Sequence, residues 1–259
     1  MPYFDGTIAK MFKKERQAFI LHQVNLHNKV ICTDLCLQMK VSDDTVRRDL
    51  QELAIDGKII KVHGGALSPS FHHPPVVSND IYSHEKKKTI AEKAIALIKD
   101  GMFVLTSGGT TIIELARSLP PDLNATFISC SLPAVLEYAN HPRCEVIMIG
   151  DKVSKASKFS VGMEAIARIR QFKCDLCIMG INAIDPVNGI SDNDWEVVQV
   201  KKAMIESTKN LVCLTISEKI NTQQPISVCR LDRIDTLITE LSPDDAVLKP
   251  YIDSGITVF

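Results

Sequence analysis

The sequence predicts an α/β protein in two parts: a small N-terminal helical unit closed by a short hairpin, then a larger, mainly parallel α/β unit. Three observations predict this. Residues 68–80 carry Pro69, Pro74 and Pro75 among Ser, His and Asn, and proline drives the residues before it toward extended backbone, as in a linker. Ahead of that stretch lie three helical patterns with very short connections. Behind it, β-branched apolar runs alternate with helical patterns, which implies crossover connections and a parallel sheet covered on both faces. The expected division is residues 1–67, a linker at 68–80, and 81–259.

Composition agrees with a folded core. The chain has 259 residues, 45% hydrophobic and 24% charged, with 30 Lys plus Arg against 31 Asp plus Glu and a net charge of −1. These values exclude disordered, collagen-like and coiled-coil classes. No apolar run approaches the roughly 18 residues of a membrane span, and the first twelve residues lack the apolar stretch of a secretory signal, so a cytoplasmic location without a membrane partner is expected. The total charge conceals a small split: residues 1–70 hold ten basic and eight acidic residues, the remainder 20 and 23.

The eight cysteines are scattered, most of them inside apolar runs, as for buried reduced thiols. Cys174 and Cys177 form a CxxC, but it lies in a strand pattern, where residues three apart face opposite ways. No second CxxC completes a zinc site. No metal or cofactor is expected.

In the first unit the patterns predict helices over residues 15–26, 34–39 behind Thr33, and 43–55 behind Ser42. Only Lys40, Val41 and Ser42 separate the last two, the spacing of a helix-turn-helix. On a helical wheel Val46, Leu50, Leu53 and Ala54 share one stripe, while Asp44, Arg48 and Gln51 lie opposite, flanked by Thr45 and Arg47. Asp43 and Asp44 suit the first turn of a helix. An arginine fork can hold guanine O6 and N7 together or clamp a phosphate. After Gly57, Ile60 and Val62 alternate with Lys61 and His63, as in a hairpin with a basic open face; in a winged helix-turn-helix this element lies beside the recognition helix.

In the second unit strands are predicted at residues 103–106, 125–129, 146–149, 176–179, 211–215, 236–239 and 256–258, with a helix over 85–99 carrying Ile90, Ala94, Ile95 and Ile98 on one stripe. Thr106-Ser107-Gly108-Gly109-Thr110-Thr111 follows a strand and opens a helix. Glycines permit close backbone approach, hydroxyls donate, and first-turn amides favour an anion. The same turn also serves as a plain strand-to-helix connection, and it is neither GxGxxG nor a Walker A loop.

Val41-Ser42-Asp43-Asp44-Thr45-Val46-Arg47-Arg48-Asp49-Leu50, then Gly57, then Lys61-Val62-His63-Gly64-Gly65-Ala66, resembles the DNA-binding signature of the DeoR family of bacterial transcriptional regulators. The resemblance continues through Glu85-Lys86 with Ile90-Ala91, the Gly-Gly-Thr-Thr turn, Ser160-Val161-Gly162, Gly180-Ile181-Asn182, Gly189-Ile190-Ser191 and Ser217-Glu218-Lys219. It implies a winged helix-turn-helix reading double-stranded operator DNA through Ser42, Thr45, Arg47 and Arg48, to which the helix start, the wheel and the hairpin add Asp43, Gln51, Lys61 and His63 as DNA-binding candidates. It also implies a sensor domain, similar in fold to ribose-5-phosphate isomerase, that binds a phosphorylated sugar or related metabolite. Ser107, Gly108, Gly109, Thr110, Thr111, Asn182 and Lys219 are then the effector-binding candidates. A repressor acting as a homo-oligomer is expected, since one short helix reads only a few base pairs and paired half-sites supply the remaining specificity.

Some positions depart from the family pattern: Ser129-Cys130-Ser131, Gly150-Asp151, and Ile216 where an Asp is common. Asp151 beside an anionic ligand would be repulsive. Two other readings compete. One is a sugar-phosphate isomerase-like enzyme with an accessory DNA- or protein-binding domain; it needs a general base, and Asn182 cannot serve, leaving Asp192, Asp194 and Glu196, which equally suit a helix cap. The other is a winged helix that binds protein, whose affinity would depend less on salt than DNA binding does.

Overall fold

A computed structural model describes residues 11–71 and 81–259. Within it the chain forms two compact units that divide between Val76 and Val77. The parts of the predicted N-terminal segment and linker at residues 1–10 and 72–80 lie outside the described residues.

The first unit contains α1 (Lys13–His27), β1 (Lys29–Ile31), α2 (Cys32–Met39), α3 (Asp43–Ile55), β2 (Ile60–Val62) and β3 (Gly65–Leu67). Its core joins Ile20 and Val24 of α1, Leu35 and Met39 of α2, and Val46, Leu50 and Leu53 of α3, the same stripe the wheel selects on α3. Full burial of each such side chain contributes about 1.5–3 kcal/mol. Ser42 caps α3, its Oγ accepting from the Thr45 amide. Lys40, in left-handed backbone, ends α2, so Lys40, Val41 and Ser42 form the whole turn.

Two local expectations change. Thr33 does not cap α2; the chain passes directly from β1 into that helix, with Ile31 at the cap position and the Cys32 amide donating to Gly64 O at 2.8 Å. The hairpin β2–β3 gains a third strand, giving the antiparallel order β1-β3-β2. Ser68 donates its amide to Asn28 O at 2.9 Å, and Ser68 and Ser70 are buried, so the predicted start of the linker packs onto this unit.

The second unit is built on a seven-stranded parallel sheet. Its strands are β4 (Phe103–Thr106), β5 (Thr126–Ser129), β6 (Glu145–Met148), β9 (Leu176–Gly180), β12 (Leu211–Leu214), β14 (Thr236–Ile238) and β15 (Thr257–Val258), and all seven match predicted runs to within a residue or two. The order is β15-β14-β12-β9-β4-β5-β6, so the chain reverses direction across the sheet between β4 and β9. The helices are α4 (His84–Ile95), α5 (Thr110–Arg117), α6 (Leu132–Ala139), α7 (Met163–Ile169), α8 (Trp195–Glu206) and α9 (Lys249–Asp253). Helix α4 stops at Ile95, short of the predicted 99, because Leu97 and Ile98 tighten into three-residue turns on Ala94 and Ile95; Ile98 still reaches the interior.

The sequence reading omits the hairpin of β7 (Lys152–Ser154) and β8 (Phe159–Val161), and a small antiparallel sheet of β10 (Ala183–Asp185), β11 (Gly189–Asp192) and β13 (Ile226–Cys229). All eight cysteines are free thiols, and burial pushes Cys174 and Cys177 upward. Among the described residues no helix is long and apolar enough to cross a membrane.

Candidate functional site

Helix α3 presents the first candidate surface. Asp43, Arg47, Arg48 and Gln51 are exposed along it. Arg47 pairs with Asp43 one turn earlier. Among the described residues Arg48 makes no ion pair or side-chain hydrogen bond, so its five donors face solvent. Ser42 Oγ and Thr45 Oγ1 lie 2.9 Å apart, so these two candidates shape the helix start as well as its surface. Lys61 on β2 donates to Gln51 Oε1 at 2.7 Å, which ties the hairpin to the helix, and His63 stands exposed in the turn that follows.

What holds this helix was absent from the candidate set. Asp49 is 2% exposed and takes a two-pronged contact from Arg16 of α1, at 2.7 and 3.3 Å. A forked pair of this kind fixes orientation as well as charge, and it locks α3 against α1. The only sequence signal is that Asp49 adjoins the buried stripe of the wheel.

The second candidate lies in the other unit, where the sheet order reverses. Ligands of open α/β sheets bind beyond the carboxyl ends of the strands at such a switch point. Ser107 follows β4, its amide donating to Ile178 O of β9 at 3.1 Å, while its hydroxyl accepts from the Gly180 amide at 2.9 Å. The two strand ends are thereby stitched together. A side chain at Gly180 would place Cβ 2.9 Å from Gly108 O. Gly109 has φ +116 at the start of α5, a conformation open to glycine and strained for other residues.

These constraints leave the first-turn amides of α5 free of backbone partners. Ile112 and Ile113 both donate to Gly109 O, while the amides of Gly109, Thr110 and Thr111 have no acceptor among the described residues. Such amides carry the positive end of the helix dipole.

Two lysines reach the end of β9, which Ser107 joins to this turn. Lys219, at the end of the short turn Ser217–Lys219, donates to Ile181 O at 3.3 Å. Burial, with the Lys201 ammonium nearby, brings it down to about 8. Lys201 of α8 bonds Gly180 O at 3.1 Å and Asp192 Oδ2 at 2.7 Å. Burial works against the Asp192 charge, but Lys201 and the Asn193 and Asn182 donors hold its carboxyl below the ordinary value. Asn182 donates to Asp192 Oδ1 at 3.2 Å, so its amide belongs to this buried pair. Lys87 of α4 is only 5% exposed; burial and the Lys219 ammonium bring it down to about 7.

The acidic residues have separate duties. Asp194 caps α8, accepting from the amides of Glu196 and Val197, and Glu196 pairs with Lys152 at 2.7 Å. Asp151, expected to repel an anion, instead accepts from the amides of Lys152, Glu164 and Ala165, and these bonds hold its carboxyl below the ordinary value. Neither Lys87 nor Lys201 was a candidate. Lys87 sits in a Lys86-Lys87-Lys88 run that reads as a solvated face, yet it falls on the buried stripe Lys87, Ile90, Ala91, Ala94, and that spacing was the available signal.

Comparison with known proteins agrees with this division. The DeoR-like helix-turn-helix domain matches residues 16–71, and the DeoR C terminal sensor domain matches residues 82–241. The transcriptional regulator GolR of Listeria innocua is 30% identical, over 96% of this chain and 98% of its own length. The glycerol-3-phosphate regulon repressor of Escherichia coli is 26% identical, over 95% of this chain and 98% of its own. Ribose 5-phosphate isomerase A from Methanocaldococcus jannaschii is similar over 53% of this chain and 55% of its own, with 16% identity and a TM-score of 0.40. With both domains matched in order along most of its length, the chain belongs to the DeoR family: a transcriptional regulator with a DNA-binding helix-turn-helix and a C-terminal sensor domain.

Proposed function

We propose that this regulator is a cytoplasmic repressor that binds paired operator half-sites as a homo-oligomer and releases them when a phosphorylated sugar or related metabolite occupies the sensor domain. The observation that carries the effector assignment is the first turn of α5, its amides without acceptors among the described residues, at the point where the strand order reverses, with Lys219 bonded to Ile181 O just past the strand end that Ser107 joins to this turn. Preorganised amides and an ammonium recognise a phosphate through charge-assisted hydrogen bonds. Gly108, Gly109, Thr110 and Thr111 form the cradle. Ser107 and Asn182 act through others: Ser107 holds the strand ends together, and Asn182 orients Asp192 and hence Lys201. Relatives support the class, since the Escherichia coli relative is by name a repressor of a glycerol-3-phosphate regulon.

On the DNA side Arg48 and Gln51 read base edges, while Arg47, Lys61, His63 and the Ser42-to-Thr45 start of α3 set the helix on the backbone. Coupling requires the effector to favour one conformational state over the other. The test is a mobility-shift assay on genomic fragments, repeated with a panel of sugar phosphates and with an Arg47→Ala/Arg48→Ala double variant. A shifted fragment, released by at least one sugar phosphate and not shifted by the variant, is the expected result. Full operator affinity in the variant would refute the helix assignment, and a complex insensitive to every phosphate would refute the effector.

A further inference from the structure

Resting on the reading that α3 enters the major groove, we propose that Lys61 sets the base specificity of Gln51. Lys61 commits the Gln51 carbonyl oxygen, so Gln51 meets DNA with its amide N–H groups alone and selects guanine where a free glutamine selects adenine.

A glutamine amide carries one acceptor and two donors, whereas a lysine ammonium carries three donors and no acceptor. Lys61 Nζ lies 2.7 Å from the Gln51 amide, and the atom facing a pure donor must be Oε1. Nε2 keeps both hydrogens and has no acceptor among the described residues. The placement is built into the fold. The Lys58 amide bonds Leu53 O at 3.0 Å as the chain leaves α3, and Ile59, 3% exposed, anchors the start of β2 in the core.

The nearby carboxylates have other partners. Glu52, next to Gln51, is held by Lys13 and Gln17 of α1 at 2.6 and 2.8 Å, and Asp56 by Lys58 at 3.1 Å. Asp43 pairs with Arg47. Asp44 is an acceptor on the outward stripe, but it stands seven residues before Gln51, about 10 Å along the helix axis, and so faces a different base pair.

In water an exposed contact of this kind contributes little. Docking on DNA expels that water, and a charge-assisted bond strengthens in the drier site. Lys61 retains two donors for a phosphate, so one ammonium serves both the DNA backbone and the amide.

In the major groove guanine shows two acceptors, N7 and O6, while adenine shows one acceptor beside the N6 donor. The donor and acceptor of a free glutamine match adenine. Two N–H groups match guanine and meet adenine N6 as donor against donor. Arg48, one turn earlier on the same stripe, is likewise a pure donor, so α3 carries two neighbouring readers of guanine.

Selection from a randomised duplex library with the full-length protein tests this. Comparison with Gln51→Ala identifies the base pair whose preference depends on Gln51. There the parent is expected to favour G·C over A·T about tenfold. Lys61→Arg should keep that preference. Lys61→Met should turn it toward A·T at that pair alone, besides weakening binding to every sequence through the lost phosphate contact. An A·T preference in the parent, a G·C preference that survives Lys61→Met, or the absence of any pair that depends on Gln51 would each overturn the proposal. A protein that enriches no sequence at low salt would remove the reading of α3 along with it.

Discussion

In the N-terminal unit Arg47, Arg48, Lys61 and His63 stand exposed along one helix and one hairpin, whereas in the sensor unit Lys87 and Lys201 are buried and Lys219 is half-buried beside them. The exposed set is hydrated and screened by salt, so it contributes little to stability and remains available to a polyanion. The buried set has been taken out of water, so each ammonium must be answered by a carboxylate, a carbonyl or a ligand. The same residue types thus stand in opposite environments: an exposed face open to a polyanion, and a buried group whose charges must be met inside the protein.

The sharpest way to break this comparison is Asp192→Ala, which strands Lys201 in the interior. It should cost the sensor unit about 3–5 kcal/mol, read as a fall in the denaturation midpoint, and Asp192→Ala with Lys201→Met should recover most of the loss. A single variant as stable as the parent would mean that water or relaxation already answers that charge. Next comes Arg48→Ala. Being exposed and without a partner among the described residues, Arg48 should leave folding untouched while operator binding weakens by about 1–3 kcal/mol. The slope of affinity against salt separates base reading from phosphate contact. The smallest effect is expected for Ser42→Ala, which removes the α3 cap at a cost of about 1 kcal/mol. A larger loss in DNA binding than in stability would give Ser42 a direct role at the interface.

Much of the architecture was legible because the relevant forces are local. The seven parallel strands announce themselves as β-branched runs buried on both faces. The boundaries of α3 follow from the Ser42 cap and the apolar stripe ending at Leu53 and Ala54. The small sheet of β10, β11 and β13 was not legible: its strands are short, and β13 joins from more than thirty residues away. Nor was the start of α2, where a bond from Cys32 to Gly64 replaces a capping side chain. Around the candidate site, the Gly108-to-Thr111 strand-to-helix turn was visible in the residues themselves, while the burial of Lys87 was hidden among neighbouring lysines and Asp151 was assigned to repulsion when it caps the start of α7.

By itself the sequence determined the helix-turn-helix, the basic hairpin, the alternation that builds a parallel sheet and the glycine turn, because periodicity, capping and backbone freedom act over a few residues. The long-range pairings came from the folded chain alone: β9 beside β4, Arg16 on Asp49, Lys201 on Asp192, and Lys87 buried on α4. Burial and electrostatics depend on distances in space, and residues 16 and 49, like 192 and 201, become neighbours only once folding has brought their strands and helices together.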